Sequence, residues 1–127
     1  MIIIRENKRI PEANFPSEIA GRTDIAIFIQ DFKAMFAKTR KCSEVTYFSK
    51  TGSALFSVES NDDAGKACMQ HDVLTFSDSR GLFFARFNIL KAKNIYLTPK
   101  YGGVLYLDRY EIIFQDGTSL SFYARNN

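Results

Sequence analysis

A cysteine and the chain's only histidine lie three positions apart, at a spacing that zinc sites use. Cys68 and His71 could supply two of the four ligands that a structural Zn²⁺ needs, and Cys42 and Asp72 would have to supply the rest. No second half-site with matching spacing occurs in the chain, so we predict a buried thiol beside a surface histidine. The same pair could act as a catalytic Cys–His couple, but no flanking signature accompanies it.

The carboxylates and glycines show no pattern typical of catalysis. The acidic residues are scattered, and no two of them have a spacing that indicates an acid–base pair; Asp116 already has a role in a turn. Gly102, Gly103 and Gly117 fall in connections between strands, where a phosphate-binding loop does not occur. We therefore expect a protein that is not an enzyme, with no catalytic residue, no metal ligand and no cofactor.

The basic residues are grouped more closely. Four of them cluster on and just after a predicted helix, and they are the candidate nucleic-acid contacts: Lys33, Lys38, Arg40 and Lys41. Positive charge interleaved with tyrosines could neutralise phosphates and stack on bases. The formal net charge is only +3, so a solvated rim is the alternative interpretation.

Three tyrosines in the second half of the chain form a candidate partner surface: Tyr96, Tyr101 and Tyr106. Aromatic residues and sheet edges occur without any catalytic constellation, which favours a non-enzymatic protein-binding module of the inhibitor, immunity or assembly-factor type. Its partner is then another protein. The alternative is a nucleic-acid-associated protein that uses the basic helix face.

Length and composition are ordinary for one globular domain over residues 1–127, with 46% hydrophobic and 24% charged residues. Twelve Phe and six Tyr without Trp favour a β-rich core. The sequence shows no signal peptide and no apolar run near the roughly 18 residues of a membrane span. Two cysteines are too few for a disulfide scaffold, so we expect reduced thiols in the cytoplasm.

The clearest local pattern is a hairpin over Tyr110–Ala124. A three-residue loop, Gln115-Asp116-Gly117, brings the apolar residues of both strands to one face, whereas a slip of one residue would scatter them. The predicted pairs are Phe114 with Thr118, Ile112 with Leu120, and Tyr110 with Phe122. Gly117 supplies the left-handed conformation that ends such a loop.

Residues 23–41 carry two overlapping patterns. Ile25, Ile27 and Ile29 alternate as in a strand, but Ile29 and Phe32 also lie on one helical face. We predict a strand over Asp24–Ile29 and a helix over Gln30–Thr39.

The remaining elements are predicted as strands, hairpins and one connection. They are an edge strand at Ile2–Arg5; a hairpin over Glu44–Ser60 with Tyr47–Phe56, Val45–Val58 and Phe48–Leu55 pairs around an even loop; a polar connection over Asn61–Gln70 with room for one helical turn; a hairpin of Val73–Phe76 with Leu82–Ile89, pairing Phe76 with Leu82 and Leu74 with Phe84; and a strand over Asn94–Thr98. Val104–Leu107 leads into the final hairpin, with a bend or bulge at Asp108-Arg109.

No alternation of strands and crossover helices occurs, which favours an antiparallel sheet over a parallel α/β sheet. The predicted class is α+β: a mainly antiparallel sheet or small barrel of about seven to nine strands, with one helix packed on a face.

Residues 24–58 resemble one strand–helix–hairpin unit of the ring-shaped DNA sliding clamps, in the checkpoint-clamp branch. The likeness lies in the sequence of residues 29–37 followed by that of residues 45–58. The resemblance implies that Lys33, Lys38, Arg40 and Lys41 correspond to helix residues lining a DNA channel. The chain has no second helix comparable to the one that completes each clamp domain.

Overall fold

A computed structural model describes residues 2–4, 25–58, 65–78 and 80–126; for residues 2–4, 25–28, 83 and 84 it describes the backbone alone. Within these residues lie one α-helix, nine strands and two single turns of 3₁₀ helix. They are β1 (Ile2–Ile4), α1 (Ile25–Met35), β2 (Arg40–Phe48), β3 (Ala54–Val58), β4 (Gly65–Gln70), β5 (Val73–Ser77), β6 (Phe83–Asn88), a 3₁₀ turn (Ile89–Lys91), β7 (Ala92–Thr98), a second 3₁₀ turn (Tyr101–Gly103), β8 (Leu107–Phe114) and β9 (Ser119–Arg125). The predicted α+β class is confirmed.

The strands form one sheet in the order β1-β7-β8-β9-β2-β4-β5-β6, and β3 also pairs with β2. The edge strand β1 runs parallel to β7, and every other pair is antiparallel. β4 pairs with the first part of β2 and β3 with its last part, on either side of Glu44, whose φ is +51°. The strand β2 therefore changes its pairing partner from β4 to β3 at Glu44.

The sheet curls back on itself. β6 is five strands away from β8, which in a flat sheet would separate them by roughly 24 Å. Yet the ring of Phe87 on β6 stacks on that of Phe114 on β8, with centroids 5.8 Å apart. The curled sheet encloses a core that is rich in aromatic rings, and α1 covers one part of it.

Helix α1 packs its buried residues against the inner face of the sheet. Phe32 and Phe36, the latter just beyond the end of α1, are fully buried. Their rings contact Tyr110, at centroid distances of 5.8 and 5.2 Å, and the Phe36 ring also contacts Phe122 at 5.8 Å. The helix is thereby fixed to the two strands of the C-terminal hairpin.

The strand predicted over Asp24–Ile29 is wrong, because α1 begins at Ile25; residue 24 lies outside the described part of the chain. Ile29, Phe32 and Phe36 are all buried and recur at helical spacing, and burial of this stripe outweighs the β propensity of the isoleucines. The helix also ends at Met35, earlier than the predicted Thr39. The Phe36 carbonyl instead accepts a hydrogen bond from the Met69 N–H (2.9 Å), and β2 starts at Arg40.

The predicted polar connection over 61–70 is wrong for its second half, which forms β4; residues 61–64 lie outside the described residues. β4 lies between β2 and β5, where small residues fit closely. A Cβ on Gly65 would lie 3.0 Å from the Cys42 carbonyl oxygen, and Ala67 is fully buried. Tertiary pairing thus produces a strand from residues of low strand propensity.

The C-terminal hairpin is confirmed. Tyr110 pairs with Phe122 and Ile112 with Leu120, and the Phe114 N–H donates to the Thr118 carbonyl at 2.8 Å. All six predicted inner-face residues are buried: Tyr110, Ile112, Phe114, Leu120, Phe122 and Ala124.

Two further hairpins close with the same three-residue loop, in which the third residue is a left-handed glycine. Gly52 (φ +91°) and Gly81 (φ +85°) end these two loops, as Gly117 (φ +87°) ends the loop of the C-terminal hairpin. In each, the glycine N–H donates to the carbonyl three residues earlier, and a second hydrogen bond closes the loop.

The even loop predicted for the β2–β3 hairpin is therefore wrong, although the Tyr47–Phe56 and Val45–Val58 pairs are confirmed. A bulge between Tyr47 and Phe48 absorbs the odd residue, so Phe48 pairs with Ala54 instead of Leu55.

The register predicted for the β5–β6 hairpin is also wrong. Phe76 pairs with Ala85 and Leu74 with Phe87, after a bulge between Phe76 and Ser77. This register points Phe87 into the core, where its ring contacts those of Phe76 and Phe114.

Substitutions of two loop glycines should separate backbone strain from steric conflict. Gly52→Ala and Gly117→Ala place a Cβ on the same left-handed backbone, at a cost of about 1–2 kcal/mol in the free energy of unfolding. The new Cβ meets nothing within 4 Å at Gly52, but lies 3.0 Å from the Lys50 Cβ at Gly117. We expect Gly117→Ala to be the more destabilising in thermal melts. Equal losses would show that the Lys50 contact relaxes without cost.

The acid dependence of stability should involve the same loop. The hydroxyl and backbone N–H of Thr118 donate to the Asp116 carboxylate and hold its pKa below the ordinary value of 3.8. As the pH falls, Asp116 therefore takes up a proton in the unfolded chain before it does so in the folded chain. The stabilisation that the ionised carboxylate provides is complete above pH 3.8 and is lost as the pH falls through the lower folded-state pKa. We expect Asp116→Asn to flatten the fall in melting temperature between about pH 5 and about pH 2. Parallel curves for the variant and the unmodified chain would contradict this assignment.

Candidate functional site

Arg40, one of the predicted nucleic-acid contacts, is directed into the protein. Its side chain is 13% exposed, and its guanidinium lies over the Phe36 ring at 4.6 Å. It donates to the Arg125 carbonyl (2.6 Å), to the Tyr110 hydroxyl (2.8 Å) and to the Asp108 carboxylate (3.4 Å). A planar group with several fixed donors suits these three acceptors, so Arg40 joins the start of β2 to β8 and β9.

Asp108 lies at the centre of this network. The bend or bulge predicted at Asp108-Arg109 is wrong, since both residues lie within β8 and pair with β9 without a shift in register. The Asp108 side chain is 9% exposed. In addition to Arg40, its carboxylate accepts hydrogen bonds from the Lys100 backbone N–H (3.4 Å) and from the Asn126 side-chain amide (3.1 Å). The carboxylate thus joins the start of the segment that precedes β8 to the residue that follows β9.

Residues 99–106, which lead into β8, form a tightly hydrogen-bonded loop. The Gly103 N–H donates to the Lys100 carbonyl (3.1 Å), and the Asn126 N–H donates to the Tyr106 carbonyl (3.0 Å). Gly102, with φ +66°, permits the chain reversal at the second 3₁₀ turn. The loop is therefore held by its own backbone and by the C-terminal residues.

This loop exposes three large apolar side chains, which we name the loop surface: Tyr101, Leu105 and Tyr106. Leu105 is 71% exposed, Tyr106 43% and Tyr101 36%. The Tyr101 ring packs beside Tyr123 at 5.1 Å, and the Arg125 guanidinium lies over the Tyr106 ring at 4.7 Å. Their orientation is set by neighbouring side chains, while their outer faces stay accessible.

The structure brings Tyr101 and Tyr106 of the predicted partner surface together and separates Tyr96 from them. Tyr96 lies within β7 and is 3% exposed. Leu105 was absent from the sequence prediction. Its position shortly after Gly102-Gly103 was the available signal, but residues 104–107 were interpreted only as the segment that leads into the final hairpin.

The other predicted nucleic-acid contacts are dispersed. Lys33 donates to Asp72 at 2.7 Å and joins α1 to the β4–β5 turn. Lys38 and Lys41 are exposed, before and within β2. The structure therefore leaves two of the four predicted basic side chains on an open surface.

Cys68 and His71 are held in structural positions. The Cys68 thiol lies 3.3 Å from the Thr75 hydroxyl on the adjacent strand, and His71 occupies the β4–β5 turn with φ +57°. Among the described residues, no group of three or more His, Cys, Asp or Glu side chains converges as a metal site would require.

Helix α1, the one α-helix of the described chain, is not long and apolar enough to cross a membrane. The comparisons with known proteins add no relative. No protein-family model, curated protein or solved structure matches this chain.

Proposed function

We propose that the chain is a non-enzymatic protein-binding module of the inhibitor, immunity or assembly-factor type, and that it binds its partner through the loop surface. The observation that carries this proposal is the exposure of Tyr101, Leu105 and Tyr106 on one short, hydrogen-bonded loop. Clustered large apolar side chains on a protein surface are typical of interaction sites.

The loop is suited to binding because little conformational freedom remains to be lost. Asp108 and Asn126 hold its ends, and neighbouring side chains hold its two tyrosines. Binding by a preorganised segment avoids much of the entropy cost of ordering a mobile one. Tyrosine is also enriched among residues that dominate binding energies.

The charges beside the loop favour a partner with an acidic rim. Lys100 is exposed at the start of the loop, and Arg125 lies against Tyr106. Oppositely charged groups around an apolar contact mainly increase the association rate and the specificity. We place this interaction in the cytoplasm, where thiols such as Cys68 stay reduced.

An affinity capture with matched variants tests the proposal. The tagged full chain is incubated with an extract of its source organism, and captured proteins are quantified by mass spectrometry. Leu105→Asp should lose the main partner by at least about tenfold, since burial of a leucine contributes about 1.5–3 kcal/mol. Leu55→Asp and Leu82→Asp are the controls, because both leucines are 58% exposed on other hairpins.

Each variant is first shown to melt like the unmodified chain. If Leu105→Asp retains the partner and a control variant loses it, the interface lies at that control residue and not at the loop surface. Equal capture by all variants would contradict the proposal.

The alternative, a nucleic-acid-associated and clamp-like protein, is supported by the exposure of Lys38 and Lys41. Binding to DNA or RNA should then weaken steeply with added salt, because phosphate contacts release counterions. Lys38→Gln and Lys41→Gln should each reduce the salt slope by about 1. No binding at low ionic strength would exclude this alternative.

A further inference from the structure

The outer face of the sheet carries two exposed lysines on neighbouring strands, which we name the lysine pair: Lys41 on β2 and Lys66 on β4. The two residues lie directly opposite each other in the antiparallel register. Each is followed by a buried residue, Cys42 on β2 and Ala67 on β4. Because side chains alternate along a strand, both lysines project from the face that is turned away from the core.

The lysine pair is unfavourable for the free protein. Like charges directly opposite each other on neighbouring strands lower the stability of a sheet. Within the described part of the chain, no carboxylate forms an ion pair with Lys41 or Lys66. The residue opposite Lys66 on its other side is Ser77, which is uncharged. A bound anionic group would therefore relieve a repulsion that the protein itself leaves in place.

Strand β9 joins the lysine pair to the loop surface. Cys42 on β2 pairs with Ala124 on β9. The same antiparallel register places Lys41 and Arg125 side by side on the outer face. The Arg125 guanidinium in turn lies over the Tyr106 ring at 4.7 Å. The lysine pair and the loop surface are therefore parts of one continuous surface.

Two carboxylates lie near this surface, and neither forms an ion pair with the lysine pair. Glu111 pairs with Arg109 on β8. Glu44 is exposed and lies close enough to Tyr123 to affect its titration: burial is the largest cause that raises the pKa of Tyr123, and the charge of Glu44 adds to it. The region around the lysine pair thus keeps an excess of positive charge.

The spacing of the strands defines the shape of a suitable ligand. β9, β2 and β4 are consecutive neighbours in the sheet, so Lys66 lies two strand separations from β9, roughly 10 Å. An extended peptide covers this distance with about three residues, at about 3.3 Å for each. An apolar side chain on the loop surface and a carboxylate at Lys66 would therefore belong to residues about three positions apart.

Two observations favour a protein segment over a nucleic acid as the ligand. The most exposed side chain of the loop surface is Leu105, an aliphatic residue that offers no ring for base stacking. The Arg125 guanidinium already covers one face of the Tyr106 ring. A leucine beside two lysines instead matches a protein segment that combines an apolar side chain with carboxylates.

We infer that the partner of the loop surface is a protein with an acidic segment, and that this segment crosses β9 and β2 to reach β4. An apolar side chain of the segment packs against Leu105 and Tyr106, and its carboxylates contact Lys41 and Lys66. This inference rests on the proposed function of the loop surface. It adds the chemistry of the partner and a second contact area on β2 and β4.

Selection from a phage-displayed library of random dodecapeptides tests the inference on the full chain. We expect the selected peptides to be enriched in Asp and Glu, with an apolar residue about three positions from an acidic one. The most enriched peptide is then synthesised with a fluorescent label, together with a neutral copy that carries Asn for Asp and Gln for Glu. In fluorescence anisotropy, the neutral copy should bind at least about tenfold more weakly.

Charge reversal locates the acidic contact. Lys66→Glu should weaken the labelled acidic peptide about tenfold, because repulsion replaces attraction. It should not destabilise the fold, since it places opposite charges across β2 and β4, and a thermal melt checks this. Lys93→Glu is the matched control, because Lys93 is an exposed lysine on β7 and the change in net charge is the same. We expect its effect on binding to stay within about twofold.

Four outcomes would overturn the inference: a selection that enriches no peptide, selected peptides without acidic enrichment, equal weakening by Lys66→Glu and Lys93→Glu, or tighter binding of an oligothymidylate than of the acidic peptide. Where a peptide is selected and Leu105→Asp still abolishes its binding, the proposed function survives the failure of the inference. If Leu105→Asp leaves the acidic peptide bound and Lys66→Glu releases it, the proposed function fails, and the acidic contact on β2 and β4 stands alone.

Discussion

Replacement of Arg40 by alanine is expected to lower the free energy of unfolding by about 3–5 kcal/mol, the usual cost of removing one member of a buried ion pair. The Asp108 carboxylate, with its side chain 9% exposed, would lose its ion pair with Arg40 and keep two neutral donors, the Lys100 backbone N–H and the Asn126 amide. The Tyr110 hydroxyl would lose a donor as well. Burial raises the pKa of Tyr110 above 10.0, and Arg40 partly offsets this effect.

Chemical denaturation of Arg40→Ala beside Lys41→Ala measures this effect. Lys41 is the next residue along β2 and is exposed, so its substitution should change stability by no more than about 0.5 kcal/mol. Arg40→Ala combined with Asp108→Asn should lose less than the sum of the single losses, because neither then leaves a buried charge unpaired. Additive losses would mean that Arg40 and Asp108 act independently.

Phe36→Ala should lower the free energy of unfolding by a similar amount, about 3–5 kcal/mol, through loss of buried area and creation of a cavity. The Phe36 ring is fully buried, with the Phe32 ring at 4.8 Å and the Tyr110 ring at 5.2 Å. The substitution would also remove the aromatic face beneath the Arg40 guanidinium. The contacts of Phe36 with the Tyr110 and Phe122 rings of the C-terminal hairpin would be lost, and that of Phe32 with Tyr110 would remain.

Phe36→Leu, which retains most of the volume, should be clearly milder than Phe36→Ala in the same denaturation experiment. Leu105→Ala is the control for a large apolar side chain that is 71% exposed, and we expect a change within about 0.5 kcal/mol. A loss below about 1 kcal/mol for Phe36→Ala would mean that α1 does not rely on this ring for its attachment.

The sequence predicted correctly those features that depend only on residues close to one another in the chain. In the C-terminal hairpin, alternation requires Ile112 and Leu120 to share a face, and Gly117 ends the only loop that permits it. The β2–β3 hairpin shows the limit of this reasoning. Its inner pairs follow from alternation, but a bulge beside Tyr47 changed the loop without disturbing them, and bulges have no clear sequence signal.

Elements whose conformation depends on distant partners were predicted poorly. Isoleucines in the first half of α1 favour a strand locally, and only burial of Phe32 and Phe36 against the sheet selects the helix. β4 has small and polar residues typical of a connection, and it becomes a strand because β2 and β5 flank it.

The functional surfaces were the least predictable, because they depend on contacts between remote parts of the chain. By itself the sequence determined the α+β class, the one-sided hairpin and the abundance of aromatic residues. Tertiary structure decided that Arg40 turns inward to Asp108, 68 residues away, that Tyr96 is buried while Leu105 is exposed, and that Lys41 lies opposite Lys66 on the next strand. The physical reason is that alternation along a strand specifies on which face of the sheet a side chain lies, whereas the curl of the sheet decides which remote residues contact that face.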